Sequence, residues 1–137
     1  GITQRPGDSA SRQEGAIQLS WNAGAMAKAS IDGEGVDLRF ESSAEMMLKM
    51  TYRVDTPAGG SIKLGMGQGM VNADEIFKAG AGWRTVRIPL KCFAERGADM
   101  AHLQPVWTLS STGPLTISFS EIELATQAPG GVCPSQP

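Results

Sequence analysis

The residues of this sequence best suited to ligand chemistry are aromatic, and they are few. Aromatic residues make up 6% of the chain, and its three tryptophans, Trp21, Trp83 and Trp107, each stand beside polar residues in or at the edge of a predicted strand. An indole exposed on a flat sheet offers an apolar, electron-rich face with an N–H group at its rim. Such a face can stack on the C–H face of a pyranose ring. The tryptophans are therefore the first candidates for a carbohydrate-binding strip across neighbouring strands.

The alternation of apolar and polar residues along the strands leaves the position of these rings partly open. Trp21 has the parity of the apolar residues of its strand, so core burial is as good an interpretation as exposure. Tyr52, a fourth candidate, also has core parity, whereas Trp83 has the opposite parity and is expected at the surface. Parity alone does not place Trp107. The polar residues that could orient a sugar beside these rings are Gln18, Asn22, Arg87 and Gln104.

Residues for glycoside hydrolysis are present but poorly arranged. Hydrolysis needs two carboxyl groups that face one cleft. Glu121 and Glu123 share one face of a single predicted strand, about 6.6 Å apart by backbone rise, and the sequence implies no cleft between them. His102 is the only histidine, so a nucleophile activated by histidine would depend on it. No catalytic residue is assigned, and an enzyme is the least supported hypothesis.

Metal and redox chemistry have little support in the sequence. The two cysteines, Cys92 and Cys133, form no CxxC pair, which leaves one disulfide bond or two inert thiols. The bridge is the expectation for an exported protein. No metal site or other cofactor is assigned, although a structural calcium ion is conceivable among Asp32, Glu34, Asp37 and Asp74.

Composition excludes two classes of partner. The net charge is -2 and lysine and arginine are not clustered, so nucleic acid is not an expected partner. No apolar run approaches the roughly 20 residues needed to cross a bilayer. Residue 1 is Gly rather than Met, and we expect the chain to be a soluble piece of a longer precursor.

The predicted fold is all β. Apolar residues alternate along the segment EMMLKMTYRV, which is expected to lie at the centre of a sheet, and along WRTVRIPL and PLTISFSEIEL. In the last segment the apolar register slips near Ser120 and Glu121, which predicts a β-bulge. GVDLRF is expected to be a further strand, and only KCFAERGADMAHL has helical character. Many short strands separated by turn residues indicate an antiparallel β-sandwich of the jelly-roll type.

The sandwich is expected to occupy residues 15–125. Residues 1–14 are polar with no sustained period, and residues 126–137 are rich in Pro and Gly. We therefore predict an N-terminal linker and a C-terminal tail, the second tied to the body if Cys133 is bridged.

An ordered set of segments also resembles a known family. The segments GWRTVRIPLKCF and GADMAHLQPVWTLSSTGPLTISFSEIEL, with LSW, LRF and MTYRVD upstream, resemble the galactose-binding-like β-sandwich at the C-terminus of bacterial family 3 exo-glucanases. The chain departs from that pattern where GMGQGM replaces a cysteine pair and where Trp107 stands in place of a more usual Phe. With additional surface tryptophans, it is similar to the endoglucanase-linked carbohydrate-binding modules of family 81.

The resemblance implies a function without catalysis. It implies a secreted or periplasmic bacterial module that binds β-1,4 and mixed-linkage β-glucans, cello-oligosaccharides or xyloglucan and targets a covalently linked glycoside hydrolase. The alternative is a structural β-sandwich domain that packs on such an enzyme and binds no sugar. Exposed tryptophans on one face would favour the first function, and buried or scattered tryptophans the second.

Overall fold

The computed structural model describes residues 2–4, 8–13, 16–21, 27–31, 35–127 and 131–134. These residues form ten strands and two short helices. The elements in chain order are β1 (Ile2–Gln4), β2 (Asp8–Gln13), β3 (Ala16–Trp21), β4 (Ala27–Ile31), α1 (Arg39–Ser43), β5 (Met47–Thr56), β6 (Ile62–Met66), β7 (Gly69–Asn72), β8 (Arg84–Pro89), α2 (Leu90–Ala94), β9 (Trp107–Ser111) and β10 (Leu115–Ala125).

The strands form two five-stranded sheets, and every pairing is antiparallel. The front sheet has the order β2-β3-β10-β5-β8, and the back sheet has the order β1-β4-β9-β6-β7. Apolar side chains from both sheets make one core. This arrangement confirms the predicted antiparallel β-sandwich.

Two details of the strand prediction were wrong and one is confirmed. The centre of the front sheet is β10, and the methionine-rich strand β5 lies between β10 and the edge strand β8. The segment predicted as the strand GVDLRF makes one isolated bridge, between Val36 and Leu103, and then enters α1. The predicted bulge is present, because the register of β10 against β5 shifts between Phe119 and Glu121.

The N-terminal region contributes strands to both sheets. β1 pairs with β4 in the back sheet, and β2 pairs along its whole length with β3 in the front sheet. Both strands lie within the range 1–14 that the sequence placed outside the sandwich. The sequence did not predict these two strands, because residues 1–14 lack a sustained apolar face. Both are edge strands, each paired with a single neighbouring strand.

The core between the sheets contains a series of aromatic rings packed edge to face. Tyr52 packs against Phe77 at 4.9 Å between ring centroids, Phe77 against Phe119 at 5.9 Å, and Phe119 against Trp107 at 5.5 Å. All three pairs are close to perpendicular, the geometry that the ring quadrupole favours. The series joins the front sheet, through Tyr52 and Phe119, to Trp107 of the back sheet.

A C-terminal segment, residues 131–134, lies along part of the β8 edge of the front sheet. We call it the strap. Its Cys133 is bonded to Cys92 of α2, as predicted, with 41 residues of sequence separation. The backbone N–H of Val132 donates to the carbonyl of Arg87 in β8, and Gly131 lies against Met47. The strap thus covers part of an edge strand that would otherwise leave its backbone groups unpaired.

We expect loss of the disulfide to destabilise the chain by about 4 kcal/mol, the chain-entropy value for a loop of this length. The comparison is between the Cys92→Ala/Cys133→Ala variant and the wild type, each unfolded in urea with and without reductant. Reduction should lower the midpoint of the wild type towards that of the variant and leave the variant unchanged. Equal free energies of unfolding for the oxidised wild type and the variant would show that the bridge adds no stability.

Candidate functional site

Two of the three candidate tryptophans are in the core. Trp21 is 2% exposed on the inner side of β3, and Trp107 is 1% exposed and packed against Phe119. Tyr52 is also buried, and its hydroxyl donates to the carbonyl of Ile76 at 2.7 Å. These three rings cannot stack on a ligand in solution, so the predicted strip of several indoles is not formed. Trp21 and Tyr52 both have the parity of the core residues of their strands, and both are buried as that parity allowed.

Trp83 is the candidate ring that remains at the surface. It is 44% exposed, and it lies immediately before β8 at the edge of the front sheet. Its parity, opposite to that of the buried residues of β8, predicted this position. Two other large apolar side chains are exposed to this degree in the described part of the chain, Phe40 at 79% and Val132 at 45%.

The polar candidates are divided between different parts of the chain. Gln18 and Arg87 lie on the same side of the front sheet as Trp83, according to strand parity and register. Gln104 is exposed in the loop before β9, next to the turn that joins β6 and β7 of the back sheet, and so it is separated from them. Asn22 lies outside the described residues.

The solvent-facing side of the front sheet, here called the outer face, is polar across four neighbouring strands. Successive side chains of a strand point to opposite sides, and the apolar set faces the core. The remaining set comprises Gln18, Ser20, Lys49, Thr51, Arg53, Asp55, Trp83, Thr85, Arg87, Thr116, Ser118, Glu121 and Glu123. The four strands span about 14 Å, enough for about two or three pyranose rings laid across them.

A fixed group of polar side chains lies beside Trp83. The Arg53 guanidinium carbon is 4.9 Å from the centre of the indole ring, within the range of a cation–π contact. The Arg53 Nε also donates to one carboxylate oxygen of Asp55. The other oxygen of Asp55 accepts from Gln18 Nε2 at 3.1 Å and from the hydroxyl of Ser118. Asp55 thus orients the arginine that lies over one face of the indole.

The ionisation of Asp55 is favoured by these partners. Burial, which leaves its side chain 18% exposed, opposes the charged form. The hydrogen bonds from Ser118, Gln18 and Arg53, together with the positive charge of Arg53, outweigh that effect and hold the pKa of Asp55 below its ordinary value of 3.8. Asp55 is therefore an acceptor at neutral pH and not a proton donor.

The rest of the outer face is linked by contacts between strands. Thr51 and Thr85 place their hydroxyl oxygens 3.0 Å apart. Lys49 lies between Glu121 and Glu123, the two carboxylates that the sequence placed on one face of a strand. Its Nζ is 3.0 Å from Glu121 and 3.6 Å from Glu123. These partly exposed ion pairs add little to stability, but they neutralise charge and leave a mixed surface of donors and acceptors.

The other reactive candidates have structural partners. Cys92 is consumed in the disulfide, and the His102 ring packs so closely on Gly35 that a Cβ at that position would overlap it. In the described part of the chain, no three His, Cys, Asp or Glu side chains are grouped to hold a metal ion. No helix in this part is long and apolar enough to span a bilayer.

The calcium hypothesis stays a prediction. Asp32 and Glu34 lie outside the described residues. Asp37 pairs with Arg39 at 2.8 Å, and Asp74 accepts a hydrogen bond from the backbone N–H of Ile62 at 2.7 Å. Both described carboxylates therefore already have partners within the chain.

Arg53 and Asp55 were missing from the candidates drawn from sequence. Parity alone put Arg53 on the polar side of β5 together with Lys49 and Thr51, so that signal was available. The association of Asp55 with Gln18 could not be found in the same way, because the two residues are 37 positions apart and meet only through the register of three strands.

Comparisons with known proteins agree with the sandwich described above. A family model, Exop_C, described as galactose-binding domain-like, matches residues 1–124. No curated protein shows significant similarity to the sequence.

Solved structures share the fold at low identity. The extra C-terminal domain of the exo-1,3/1,4-β-glucanase ExoP from a Pseudoalteromonas species is 16% identical with a TM-score of 0.67, and the match covers 96% of this chain and 74% of that one. In the structure of ExoP itself the identity is 17% and the TM-score 0.66, and the match covers 96% of this chain but only 16% of that one. The family 30 carbohydrate-binding module of the cellulosomal cellulase Cel9D-Cel44B of Clostridium thermocellum is 14% identical with a TM-score of 0.68, covering 92% and 82% of the two chains.

We expect Asp55→Asn to lower the free energy of unfolding by about 1 to 3 kcal/mol at pH 7, because charged hydrogen bonds are lost. Since the folded pKa of Asp55 is depressed, its stabilisation is complete above the ordinary carboxyl pKa and is lost as pH falls through the folded value. Urea unfolding at several values between about pH 7 and pH 2 should therefore show the difference shrinking with acidity.

The matched control is Asp37→Asn, which removes a carboxylate paired with an arginine at an exposed site. We expect this variant to unfold like the wild type at pH 7. A penalty for Asp55→Asn that stays constant down to the lowest pH would rule out ionisation as its cause.

Proposed function

This chain belongs to the Exop_C family of galactose-binding domain-like proteins, and on that premise we propose that it is a non-catalytic module that binds β-glucan on its outer face. The observation that carries the proposal is Trp83, an indole that is 44% exposed and held in place by Arg53 beside a polar face. The part of the ring that Arg53 does not cover is open to solvent and to a ligand.

The arrangement around Trp83 fits a sugar better than an apolar ligand. Arg53 covers one face of the indole, so a pyranose would stack on the opposite face or its edge. Asp55 supplies carboxylate oxygens, and Gln18, Thr85 and Arg87 supply further donors and acceptors on the same face. Sugar hydroxyls both donate and accept, so a surface with both kinds of group can orient a chain laid across the strands.

One exposed indole sets the scale of the affinity. Stacking on an aromatic side chain contributes about 1 to 3 kcal/mol per ring in nucleic-acid sites, and we take a similar value for sugars. With a few hydrogen bonds and the cost of ordering the ligand, this gives a Kd of about 0.1 to 1 mM. Such weak binding is sufficient for a module tethered to an enzyme, because tethering raises the effective concentration of its polymer.

The ligand class and the linked partner are also part of the proposal. The similar structures include a domain of an exo-1,3/1,4-β-glucanase and a module of a cellulase. We therefore propose β-1,4 and mixed-linkage β-glucans, cello-oligosaccharides and xyloglucan as ligands, and a covalently linked glycoside hydrolase as partner. The bridge between Cys92 and Cys133 supports a secreted or periplasmic location, where disulfides persist.

The chemistry of the outer face supports binding without catalysis. A glycosidase needs one carboxyl group that stays protonated near neutral pH. The pKa of Asp55 is shifted in the opposite direction, and Glu121 and Glu123 flank the same lysine on an open sheet. These carboxylates are better suited to accept hydrogen bonds and to pair with cations.

A second candidate function is a structural domain that packs on a linked enzyme and binds no sugar. The burial of Trp21 and Trp107 favours it, because it removes two of the three expected stacking rings. The exposed Phe40 of α1, at 79%, would be the natural apolar contact for such a neighbour. The two functions differ in which of the two exposed aromatic rings matters.

We expect Trp83→Ala to weaken binding by about tenfold or more, the loss of one stacking ring. Isothermal titration of cellopentaose and of mixed-linkage β-glucan into the wild type and the variant measures this change. The variant should keep its thermal stability, because Trp83 lies at the surface.

Phe40→Ala is the matched control, since it removes the other exposed aromatic ring from a different part of the surface. Its binding should equal that of the wild type. Titrations without heat or saturation for the wild type with both ligands would remove the binding function and leave the structural one.

A further inference from the structure

A concave site distinct from the outer face lies around the edge of the front sheet from Trp83. It is a cavity of about 620 Å³ between strand β8, the segment after β7 and the strap. We call it the edge pocket. Its size falls within the range of about 300 to 1,000 Å³ typical of small-molecule sites. Nothing in the function proposed above uses it.

The wall formed by the segment after β7 is held in place by hydrogen bonds. The carbonyl of Ile76 accepts from the buried Tyr52 hydroxyl, and the carbonyl of Lys78 accepts from Nη2 of Arg84. Arg84 itself lies over the Tyr52 ring, with its guanidinium carbon 5.2 Å from the ring centre. Asn72 caps the turn by accepting from the backbone N–H of Asp74 at 2.8 Å.

The opposite wall is covalently attached. Val132 and Pro134 of the strap line the pocket, and Cys133 between them is bonded to Cys92. The pocket is therefore formed between two segments that are both tied to the body of the sandwich. A site whose walls are already fixed costs little ordering on binding.

The backbone of β8 is available along the floor of the pocket. The carbonyl of Arg87 points to the free edge of the strand, where it accepts from Val132. In an antiparallel ladder, groups two residues apart point to the same side, so Thr85 directs its backbone groups to this edge as well. Thr85 lines the pocket together with Val132 and Pro134 of the strap.

The lining contains apolar surface and both kinds of polar group. Ile76, Val86 and Val132 supply the apolar part. Glu75 supplies acceptors, and Lys78 and Arg84 supply donors; none of the ion pairs among the described residues involves Arg84. Glu75 and Lys78 pair with each other at 3.8 Å, and the guanidinium of Arg84 is engaged by the Lys78 carbonyl and the Tyr52 ring, so the lining does not select for a charged ligand. The lining therefore suits a neutral molecule with several hydroxyl groups and one apolar face.

We propose that the edge pocket is a second sugar site, which takes one or two pyranose residues of a neutral oligosaccharide or of a chain end. The identity of the ligand class rests on the proposed function of the outer face. Trp83, immediately before β8, and Arg84, its first residue, point to opposite sides of the sheet, so the two sites meet at this end of the strand. Thr85 contributes its side chain to the outer face and lines the edge pocket with its backbone.

The test is a titration of the ¹⁵N-labelled chain with cellobiose, and separately with cellopentaose, followed by NMR. The backbone amides of Ile76, Val86 and Val132 report on the edge pocket, and the indole N–H of Trp83 reports on the outer face. We expect saturable shifts of the pocket amides with cellobiose in the millimolar range. The same shifts should persist in Trp83→Ala.

The variant that tests the lining is Glu75→Ala/Lys78→Ala, which removes an acceptor and a donor from two exposed side chains. Its pocket amides should bind cellobiose at least about fivefold more weakly, through the loss of hydrogen bonds to the sugar. The matched control, Glu45→Ala/Lys91→Ala, removes the same residue types from an exposed ion pair whose residues do not line the pocket, and it should titrate like the wild type.

The outcomes separate the two sites. Shifts confined to the outer face would overturn the edge pocket and leave the proposed function standing. Pocket shifts without any change at Trp83, even with cellopentaose, would overturn the outer face as the main site. Pocket shifts that are unchanged in Glu75→Ala/Lys78→Ala would overturn the polar recognition argued above. Shifts at neither site with either sugar would overturn both proposals.

Discussion

The edge-to-face packing of aromatic rings between the two sheets is the constraint on which the surface of this domain depends. The chain has only eight Trp, Tyr and Phe residues. Tyr52, Phe77, Phe119 and Trp107 are used to join the sheets, and two more rings are buried beside them. An aromatic side chain buried in this way contributes several kcal/mol, far more than it could contribute to a weak ligand. Stability therefore determines which rings are left for binding.

The consequence is a face that depends on one ring and on the polar groups around it. A broad platform of several indoles binds by stacking alone and needs little orientation. Trp83 is a single ring at a sheet edge, so its position must be fixed by its neighbours. Arg53 packs over the indole, and Asp55 in turn holds Arg53 in place. The depressed pKa of Asp55 keeps this support charged over the neutral range. In the proposed function, polar recognition would therefore take over part of what stacking would supply.

Local patterns predicted the sheet architecture well and the site only in part. Alternation along β5 and β10 gave the core faces of both strands and even the bulge after Phe119, because these signals are contained within one strand. The environment of Trp107 depends on Phe119, which belongs to the other sheet, and no local pattern carries that information. The same limit applies to α1: its residues were expected to extend a strand, but the segment has only one bridge to hold it in a sheet.

The edge strand β8 connects the stability of the domain with both proposed sites. An unpaired sheet edge is a hazard, and covering it fully would leave no concave surface there. The strap covers the edge at Arg87, and Thr85 and Val86 of β8 line the edge pocket. The disulfide at Cys133 holds the described part of the strap to the body of the sandwich. A glucan chain that crosses the outer face would reach the edge pocket at Trp83, at the edge of the front sheet. Because the disulfide holds the strap, and the strap forms one wall of the pocket, the bridge that stabilises the fold also shapes the surface available to a ligand.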